Sequence, residues 1–567
     1  MVQPGPAGRR PPNTGYNREM THNNDVVPIP VSVDVLIVGA GLSGIGTACY
    51  LTRERPQDDF LILEARAESG GTWDKFRYPG IRSDSDLFTF GYEFRPWSRS
   101  NAIAAGGLIR SYIRDTAAEY GIDEHIVYNT KVLAADWDSE SARWTITAER
   151  AGQTITVTAR WFVSASGYYD HDRGHSPSFP GQDDFAGTIV HPQDWPEDLD
   201  YADKRVVVIG SGATAVTLVP ALAGYSADTG AEASAGDDAA AAGATGPAGA
   251  TGPSGASAAD SAASGVRAGA AAHVTMLQRS PTFVLPTMTE DPADVRLQRW
   301  LPAPLAARAT RYRHIVTQRM VWRNAQDHPD EMRAYIRAAN AEALPDDYPI
   351  DEHFSPDYNP WEQRLCFVPG ADMFRAISAG AADVVTDTIE TFVPEGIRLS
   401  SGRVLPADII ITATGLELLQ FGGIRMSVDG QDVDLPATVV YRGCMLSGVP
   451  NFLFAMGYLN NSWTLKLGPL CRYWLRLLAA MDERGADVAV PDAPAAGAEL
   501  TPMNTFAAGY VQRAQDTMPR AGLEFPWSVP EDYTDDRRIL RGDPTAEPHL
   551  RLGPARVRAR RARAAAD

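Results

Sequence analysis

A strand, a glycine-rich turn and a helix follow one another near the start of this chain, and the same order returns near residue 205. The first unit has an apolar run at 34–38, followed by Gly39-x-Gly41-x-x-Gly44 and a predicted helix. Continuous apolar runs of this kind are typical of parallel strands that are buried on both faces. Two such units predict an α/β fold with two Rossmann-like dinucleotide-binding domains.

The first unit carries the residues that a dinucleotide needs. Its three glycines allow a tight turn, close approach of the backbone to a pyrophosphate, and packing of the helix on the strand. The start of the helix favours the negative charge of the phosphates. A second predicted strand at 60–63 ends at Glu64, whose carboxylate would accept hydrogen bonds from ribose hydroxyls.

The second unit differs from the first at the end of its second strand. Its turn follows an apolar run at 205–209 and contains Gly210, Ser211, Gly212, Ala213 and Thr214. The next predicted strand, at 274–277, ends near Arg279 and not at an acidic residue. Because an arginine pairs with a 2′-phosphate that a carboxylate would repel, this unit predicts a preference for NADP(H).

A long insertion separates the two strands of the second unit. The first unit spans 25 positions from Gly39 to Glu64, whereas the second spans 69 from Gly210 to Arg279. Residues 224–271 are almost entirely small or polar. Such a segment buries too little apolar surface to offset its ordering entropy, which predicts a flexible surface loop.

Two further strand ends suggest how the domains are connected. Ala165 follows an apolar strand just before the second unit, and Ala413 follows another after it. We therefore expect the second domain to be inserted in the first. The predicted division is a disordered arm at 1–30, a first domain at 31–165 and 395–545, a second domain at 166–394, and a basic tail at 546–567.

Composition narrows the class of protein. The 567 residues carry a formal net charge of −19, which argues against nucleic-acid binding. The sequence has no apolar run of 18 residues and no N-terminal signal segment, so we expect a cytoplasmic protein without a transmembrane segment. Four widely spaced cysteines predict reduced thiols and exclude a redox Cys-x-x-Cys pair. The histidines form no cluster with the spacing of metal ligands, so we expect no metal site. The sequence does not indicate the oligomeric state.

Two longer motifs identify a family. The stretch 185–196 contains Phe185, Gly187, His191 and Trp195 in the pattern FxGxxxHxxxWP, and the stretch 70–84 has the pattern GGxWxxxxYPGxxxD. With these motifs the sequence resembles the Baeyer–Villiger monooxygenases, a branch of the class B flavoprotein monooxygenases. Further stretches, such as 457–466, look like the ethionamide-activating subgroup of that family.

This resemblance implies a reaction and its cofactors. The family binds FAD, here in the first domain, and takes hydride from NADPH, here in the second. It uses O2 through a C4a-peroxyflavin to convert ketones to esters or lactones, and some members oxidise thioethers. Two alternatives stay open: a sulfur or nitrogen oxygenase of the flavin-containing monooxygenase type, and a flavin-binding protein with only NADPH oxidase activity.

The resemblance also assigns roles to individual residues. By position, Arg364 looks like the active-site arginine of the family, and Asp84 like its orienting carboxylate beside the flavin. Gly71, Thr72 and Trp73 are expected at the flavin, and Val132 on the adenine side. His191 and Trp195 are expected to connect the domains and position NADP. Asn460, Asn461 and Trp463 are candidates for the lining of the flavin or substrate pocket.

Overall fold

The computed structural model describes residues 29, 31–227, 269–363, 365–458 and 461–556. Nearly all of the predicted N-terminal arm, most of the predicted insertion and the end of the basic tail lie outside the described residues. So do Arg364 and Asn460.

The first sheet holds nine strands and forms around the first glycine turn. In order across the sheet, eight of its strands are Gln431–Asp432, Arg425–Val428, Thr130–Asp138, Arg143–Arg150, Gln153–Ser164, Ser32–Val38, Phe60–Leu63 and Ile126–Val127. The ninth strand, Phe452–Phe454, pairs in parallel with Gln153–Ser164. The strand that enters the glycine turn is buried over most of its length, as its apolar run predicts.

The second sheet has five parallel strands around the second glycine turn. Their order is Ala382–Thr386, His273–Gln278, Arg205–Ile209, Ile409–Thr412 and Thr188–Val190. Each glycine turn leads into a helix, Leu42–Glu54 in the first unit and Ala213–Leu222 in the second. The predicted α/β fold, with two Rossmann-like domains and the second inserted in the first, is confirmed.

One part of the predicted division is wrong. The predicted first domain resumes at 395 and so includes strand Ile409–Thr412, but this strand pairs with Arg205–Ile209 in the second sheet. The chain returns through Leu416–Leu418, which pairs antiparallel with the outgoing segment Tyr169–Gly174. A buried apolar run fits a parallel sheet equally well in either domain, so its sequence did not reveal which sheet it joins.

Helices and short ribbons complete the fold. The remaining α-helices are Thr72–Lys75, Leu87–Phe90, Gly106–Glu119, Pro292–Trp300, Ala303–Asp327, Pro329–Ala343, Ile350–His353, Asp372–Ser378, Trp463–Arg484, Gly509–Ala514 and Tyr533–Ile539. The two-stranded ribbons pair Phe283–Thr287 with Leu365–Pro369, Val440–Tyr441 with Met445–Leu446, Val488–Pro491 with Leu550–Gly553, and Leu500–Pro502 with Arg520–Gly522. In a three-stranded ribbon, Gly396–Leu399 lies between Ile389–Val393 and Val404–Pro406 and pairs with both. None of the helices within the described ranges combines the length and the apolar character needed to cross a bilayer.

Candidate functional site

The first glycine turn is closely packed. Gly39 has a φ of +101°, and a Cβ at this position would lie 2.7 Å from the carbonyl oxygen of Ala165. A Cβ at Gly44 would lie 1.8 Å from the carbonyl oxygen of Gly39. Both positions therefore require glycine, because a side chain would separate the helix from the strand ends.

Glu64 closes the second strand of this unit next to the turn. Its Oε2 accepts a hydrogen bond from the amide of Ala40 at 2.6 Å, and its Oε1 accepts one from the amide of Arg66 at 2.9 Å. Burial raises the pKa of Glu64 above its usual value, and these two hydrogen bonds limit the rise. The carboxylate is thus fixed at the strand end, where a ribose could donate to it.

Gly71, in the segment of the 70–84 motif, lies against Gly41 of the first glycine turn. Gly71 has a φ of +57°, and a Cβ there would lie 3.0 Å from the Cα of Gly41. The short helix that contains Thr72 and Trp73 begins directly after this contact. Two glycines in contact leave backbone groups of both segments accessible to a ligand in the space beside them.

The buried carboxylate of Asp74 fixes the segment after Gly71. It is 3% exposed and pairs with Arg66 at 2.7 Å, with Arg77 at 2.7 Å and with Arg114 at 2.9 Å. Sequence reasoning missed this cluster, although Asp74 lies inside the 70–84 motif.

The second glycine turn repeats the packing of the first but is more open. Gly210 has a φ of +127°, and a Cβ there would lie 2.3 Å from the carbonyl oxygen of Ala413. A Cβ at Gly212 would meet no atom within 4 Å. Ser211 contacts Thr282 through their hydroxyl oxygens at 2.7 Å. The open space beside Gly212 leaves room for a ligand against the start of the helix.

Both turns open onto one cavity of about 1000 Å³. The predicted site residues that line it are Gly39, Gly41, Glu64, Gly71, Thr72, Trp73, Asp84, Val132, Gly210, Ser211, Gly212, Ala213, Thr214 and Arg279, together with Asn461 and Trp463. Gly44 is buried beneath the first turn. The cavity therefore brings the predicted residues of both units into one space.

Four predicted residues, those of the 185–196 motif, do not line the cavity. Phe185 packs edge-on against Phe392 beneath the second sheet, with ring centroids 6.4 Å apart. A Cβ at Gly187 would lie 2.3 Å from the carbonyl oxygen of Asp408. Trp195 packs against the apolar cluster of the second domain. These residues are part of the framework around the second sheet.

His191 lies at the connection between the domains. Its ring packs so closely on Gly174 that a Cβ there would be 2.0 Å from Cε1. Its Nδ1 accepts a hydrogen bond from the amide of Gln193 at 3.2 Å. Burial lowers the pKa of His191 below its usual value, which favours the neutral ring. The contact fixes the ring to strand Tyr169–Gly174, which forms the interdomain ribbon together with Leu416–Leu418.

The cavity has further polar walls that sequence reasoning did not predict. They include Arg66, Arg82, His171, Tyr458, Tyr510 and Arg513. Burial lowers the pKa of His171 to about 4, so this ring is neutral near pH 7. These side chains come from four separate stretches of the chain, and only the fold brings them together.

Similarity to known proteins agrees with this geometry. The model of the flavin-binding monooxygenase-like family matches residues 101–229, and that of the NAD(P)-binding Rossmann-like domain matches residues 37–101. The FAD-containing monooxygenase EthA of Mycobacterium tuberculosis is 46% identical over 509 residues, covering 90% of this chain and 95% of that protein. The probable FAD-binding monooxygenase AlmA of Acinetobacter baylyi is 41% identical, covering 90% and 94%.

Solved structures share the fold. An oxidised steroid monooxygenase bound to NADP superimposes with a TM-score of 0.67 at 20% identity, covering 92% of this chain and 100% of that one. An open form of cyclohexanone monooxygenase gives a TM-score of 0.64 at 17% identity, with the same coverage. The predicted resemblance, including that to the ethionamide-activating subgroup, is confirmed. With relatives of this identity along nine-tenths of its length, the chain belongs to the flavin-binding monooxygenase family.

Proposed function

We propose that the chain is an FAD- and NADPH-dependent monooxygenase of the Baeyer–Villiger type, which converts ketones to esters or lactones. One oxygen atom of O2 enters the product and the other leaves as water, while NADPH supplies two electrons. The observation that carries this proposal is the single cavity shared by both glycine turns, because flavin and nicotinamide must meet for hydride transfer. Relatives named FAD-containing monooxygenase support FAD, and a solved structure of the same fold bound to NADP supports NADPH.

In this proposal the first domain binds FAD and the second binds NADPH. FAD, which supplies O2 activation when bound, would lie along Gly39, Gly41 and Gly71, with Glu64 accepting hydrogen bonds from its ribose. Thr72, Trp73 and Val132 would contact the rest of the molecule. The first domain would comprise 31–165 and the chain after the interdomain ribbon, and the second the strands between them.

NADPH would occupy the second turn. The open space at Gly212 and the adjacent helix start suit a pyrophosphate, with Ser211, Ala213 and Thr214 around it. Arg279 is exposed at the cavity, where its guanidinium would pair with the 2′-phosphate. His191 and Trp195 would act indirectly, by holding the connection between the domains.

The proposed chemistry depends on charge in the cavity. Asp84 lines the cavity, and we assign it to orienting the side chain of Arg364 beside the flavin. Arg364 would stabilise negative charge that develops during oxygen transfer. Walls contributed by both domains would keep water from the reacting atoms.

A second candidate function is oxygenation of sulfur in thioethers or thioamides. The similarity to EthA and the subgroup motifs favour it, and the same cavity would serve both reactions.

A cytoplasmic location is also part of the proposal, since all four thiols are buried and none of the motifs requires export.

Product analysis separates these functions. Purified protein loaded with FAD is incubated with NADPH, O2, a mixture of linear, cyclic and aryl ketones, and a thioether, and the products are identified by mass spectrometry. Esters or lactones support the proposal, sulfoxide alone supports the second function, and hydrogen peroxide alone supports an NADPH oxidase. Arg364→Ala should lower ester formation by about 100-fold, whereas Arg337→Ala, at an exposed ion pair, should leave it unchanged.

A further inference from the structure

The helical hairpin formed by Pro292–Trp300 and Ala303–Asp327 has an unusual outer face. Apolar side chains are exposed along it: Trp300 is 79% exposed, Tyr312 69% and Met320 64%, and Leu301, Leu305 and Val316 are exposed as well. On the longer helix, Leu305, Tyr312, Val316 and Met320 recur at spacings of seven and four, so they form one stripe. Several large exposed apolar side chains grouped on one helical hairpin are typical of an interaction site.

The same hairpin is strongly basic in an acidic chain. Residues 292–327 contain seven arginines against two aspartates, Asp294 and Asp327, although the whole chain carries a net charge of −19. Arg296, Arg299 and Arg308 are exposed beside the apolar stripe. Within the described part of the chain, no carboxylate lies within ion-pair distance of these three guanidinium groups. The outer face is therefore both apolar and positively charged.

Other arginines of the hairpin, on its inner face, make polar contacts with the rest of the protein. Arg311 donates to backbone carbonyls of Phe88, Thr89 and Gly91. Arg319 pairs with the carboxylate of Asp532 at 2.6 Å, outside the hairpin. The inner face is thus anchored to the protein, whereas the outer face has no contacting segment among the residues that the structure describes.

We propose that this outer face docks on an anionic membrane surface. Exposed tryptophan and leucine side chains would enter the boundary between headgroups and acyl chains, while the arginines would pair with lipid phosphates. Nucleic acid would use the arginines but would leave the apolar stripe uncovered. A symmetric dimer through this face would place arginines against arginines, because a two-fold interface brings the same patch together.

Docking would also orient the cavity. The inner face of the hairpin contacts Asp86 through Gln318 and His314. Asp86 follows Ser83, Asp84 and Ser85, which line the cavity. A hairpin seated on lipid would hold this wall of the cavity close to the membrane, where apolar substrates concentrate.

Vesicle sedimentation tests the proposal on the full chain loaded with FAD. We expect binding to vesicles of phosphatidylcholine and phosphatidylglycerol in equal parts, no binding to phosphatidylcholine alone, and weaker binding as salt increases. Arg296→Gln and Arg299→Gln should each weaken binding about fivefold. Trp300→Ser and Leu305→Ser should each weaken it about tenfold.

Matched variants elsewhere on the surface control for general effects. Leu523 is 58% exposed and Arg398 is exposed outside the hairpin, so Leu523→Ser and Arg398→Gln should bind vesicles like the unmodified protein. FAD content and melting temperature should be unchanged in all six variants, since every altered side chain is exposed.

Three results would overturn the proposal. The first is absence of binding to the mixed vesicles, and the second is binding that the hairpin variants do not weaken. The third is concentration-dependent self-association, measured by light scattering, that the hairpin variants abolish while no vesicle binding occurs; this would assign the face to a second copy of the chain. None of these readouts depends on the reaction proposed above.

Discussion

The guanidinium of Arg82 pairs with the carboxylate of Asp372 across the interface between the two domains. The side chains are 3% and 0% exposed, and Nη2 lies 3.3 Å from Oδ1 in the second of two hydrogen bonds. Asp372 also accepts hydrogen bonds from the amides of Met373 at 2.8 Å and Ala227 at 3.1 Å. One buried carboxylate thus connects the 70–84 motif segment, the second domain and the start of the insertion.

Arg82→Met should lower the free energy of unfolding by about 3–5 kcal/mol, because it leaves the Asp372 carboxylate buried without a cation. Urea denaturation followed by tryptophan fluorescence measures this change. The matched control is Arg205→Met, which breaks an ion pair with Asp408 whose side chains are 50% and 38% exposed. That loss should stay below about 1 kcal/mol. Equal effects of the two substitutions would contradict the structural role of the buried pair.

The sequence predicted those elements that local pattern determines. Strand Phe60–Leu63 and strand Arg205–Ile209 have the predicted bounds, since apolar runs between a turn and a helix leave few alternatives. The predicted domain boundary at 395 failed, because strand Ile409–Thr412 carries no mark of its sheet. The contact between Asp86 and His314 joins residues 228 positions apart, and only the packed fold reveals it. The glycine turns at the cavity could be predicted, because such turns have a sequence signature. The polar side chains elsewhere in its walls could not, because single long-range contacts have none.

The pH dependence of stability should contain a contribution from His314. Burial alone lowers the pKa of this ring, but the hydrogen bond to Asp294 and the charge of Asp86 outweigh burial and the nearby Arg313, so the pKa is raised above 6.5. A raised folded-state pKa gives stability that is present below the unfolded value and is lost as pH rises through the folded value.

The test compares His314→Gln with the unmodified protein by urea denaturation at a series of pH values. The difference in unfolding free energy between them should be largest below about pH 6.5 and should shrink as the pH increases. Because His171 and His191 are present in both proteins, their titration cancels in this comparison. A difference that is constant with pH would show that His314 contributes through packing alone.

The preference for NADPH should depend on Arg279. Arg279→Ser should lower kcat/KM for NADPH about tenfold to a hundredfold, because the charge-assisted contact that we propose with the 2′-phosphate would be lost. The kcat/KM for NADH should change little, since NADH lacks that phosphate. Steady-state oxidation of each nucleotide gives both values, with Arg398→Ser as an exposed arginine control. A parallel loss for both nucleotides would place the contact of Arg279 elsewhere on the cofactor.

Gly44→Ala and Gly212→Ala form a matched pair, since each adds one methyl group to a glycine turn. The Cβ at position 44 would lie 1.8 Å from the carbonyl oxygen of Gly39, whereas the Cβ at position 212 would meet nothing within 4 Å. Gly44→Ala should therefore push the helix from the strand and yield protein with little bound FAD and a lower melting temperature.

Gly212→Ala should keep the FAD content and the melting temperature but raise the KM for NADPH about tenfold, because its methyl group occupies space that we assign to the pyrophosphate. Flavin absorbance, thermal unfolding and NADPH oxidation kinetics separate the two outcomes. Loss of FAD from Gly212→Ala would mean that the second turn supports the fold and not a ligand. An unchanged KM would mean that NADPH does not approach this glycine, because an added methyl group can be harmless only where no ligand comes close.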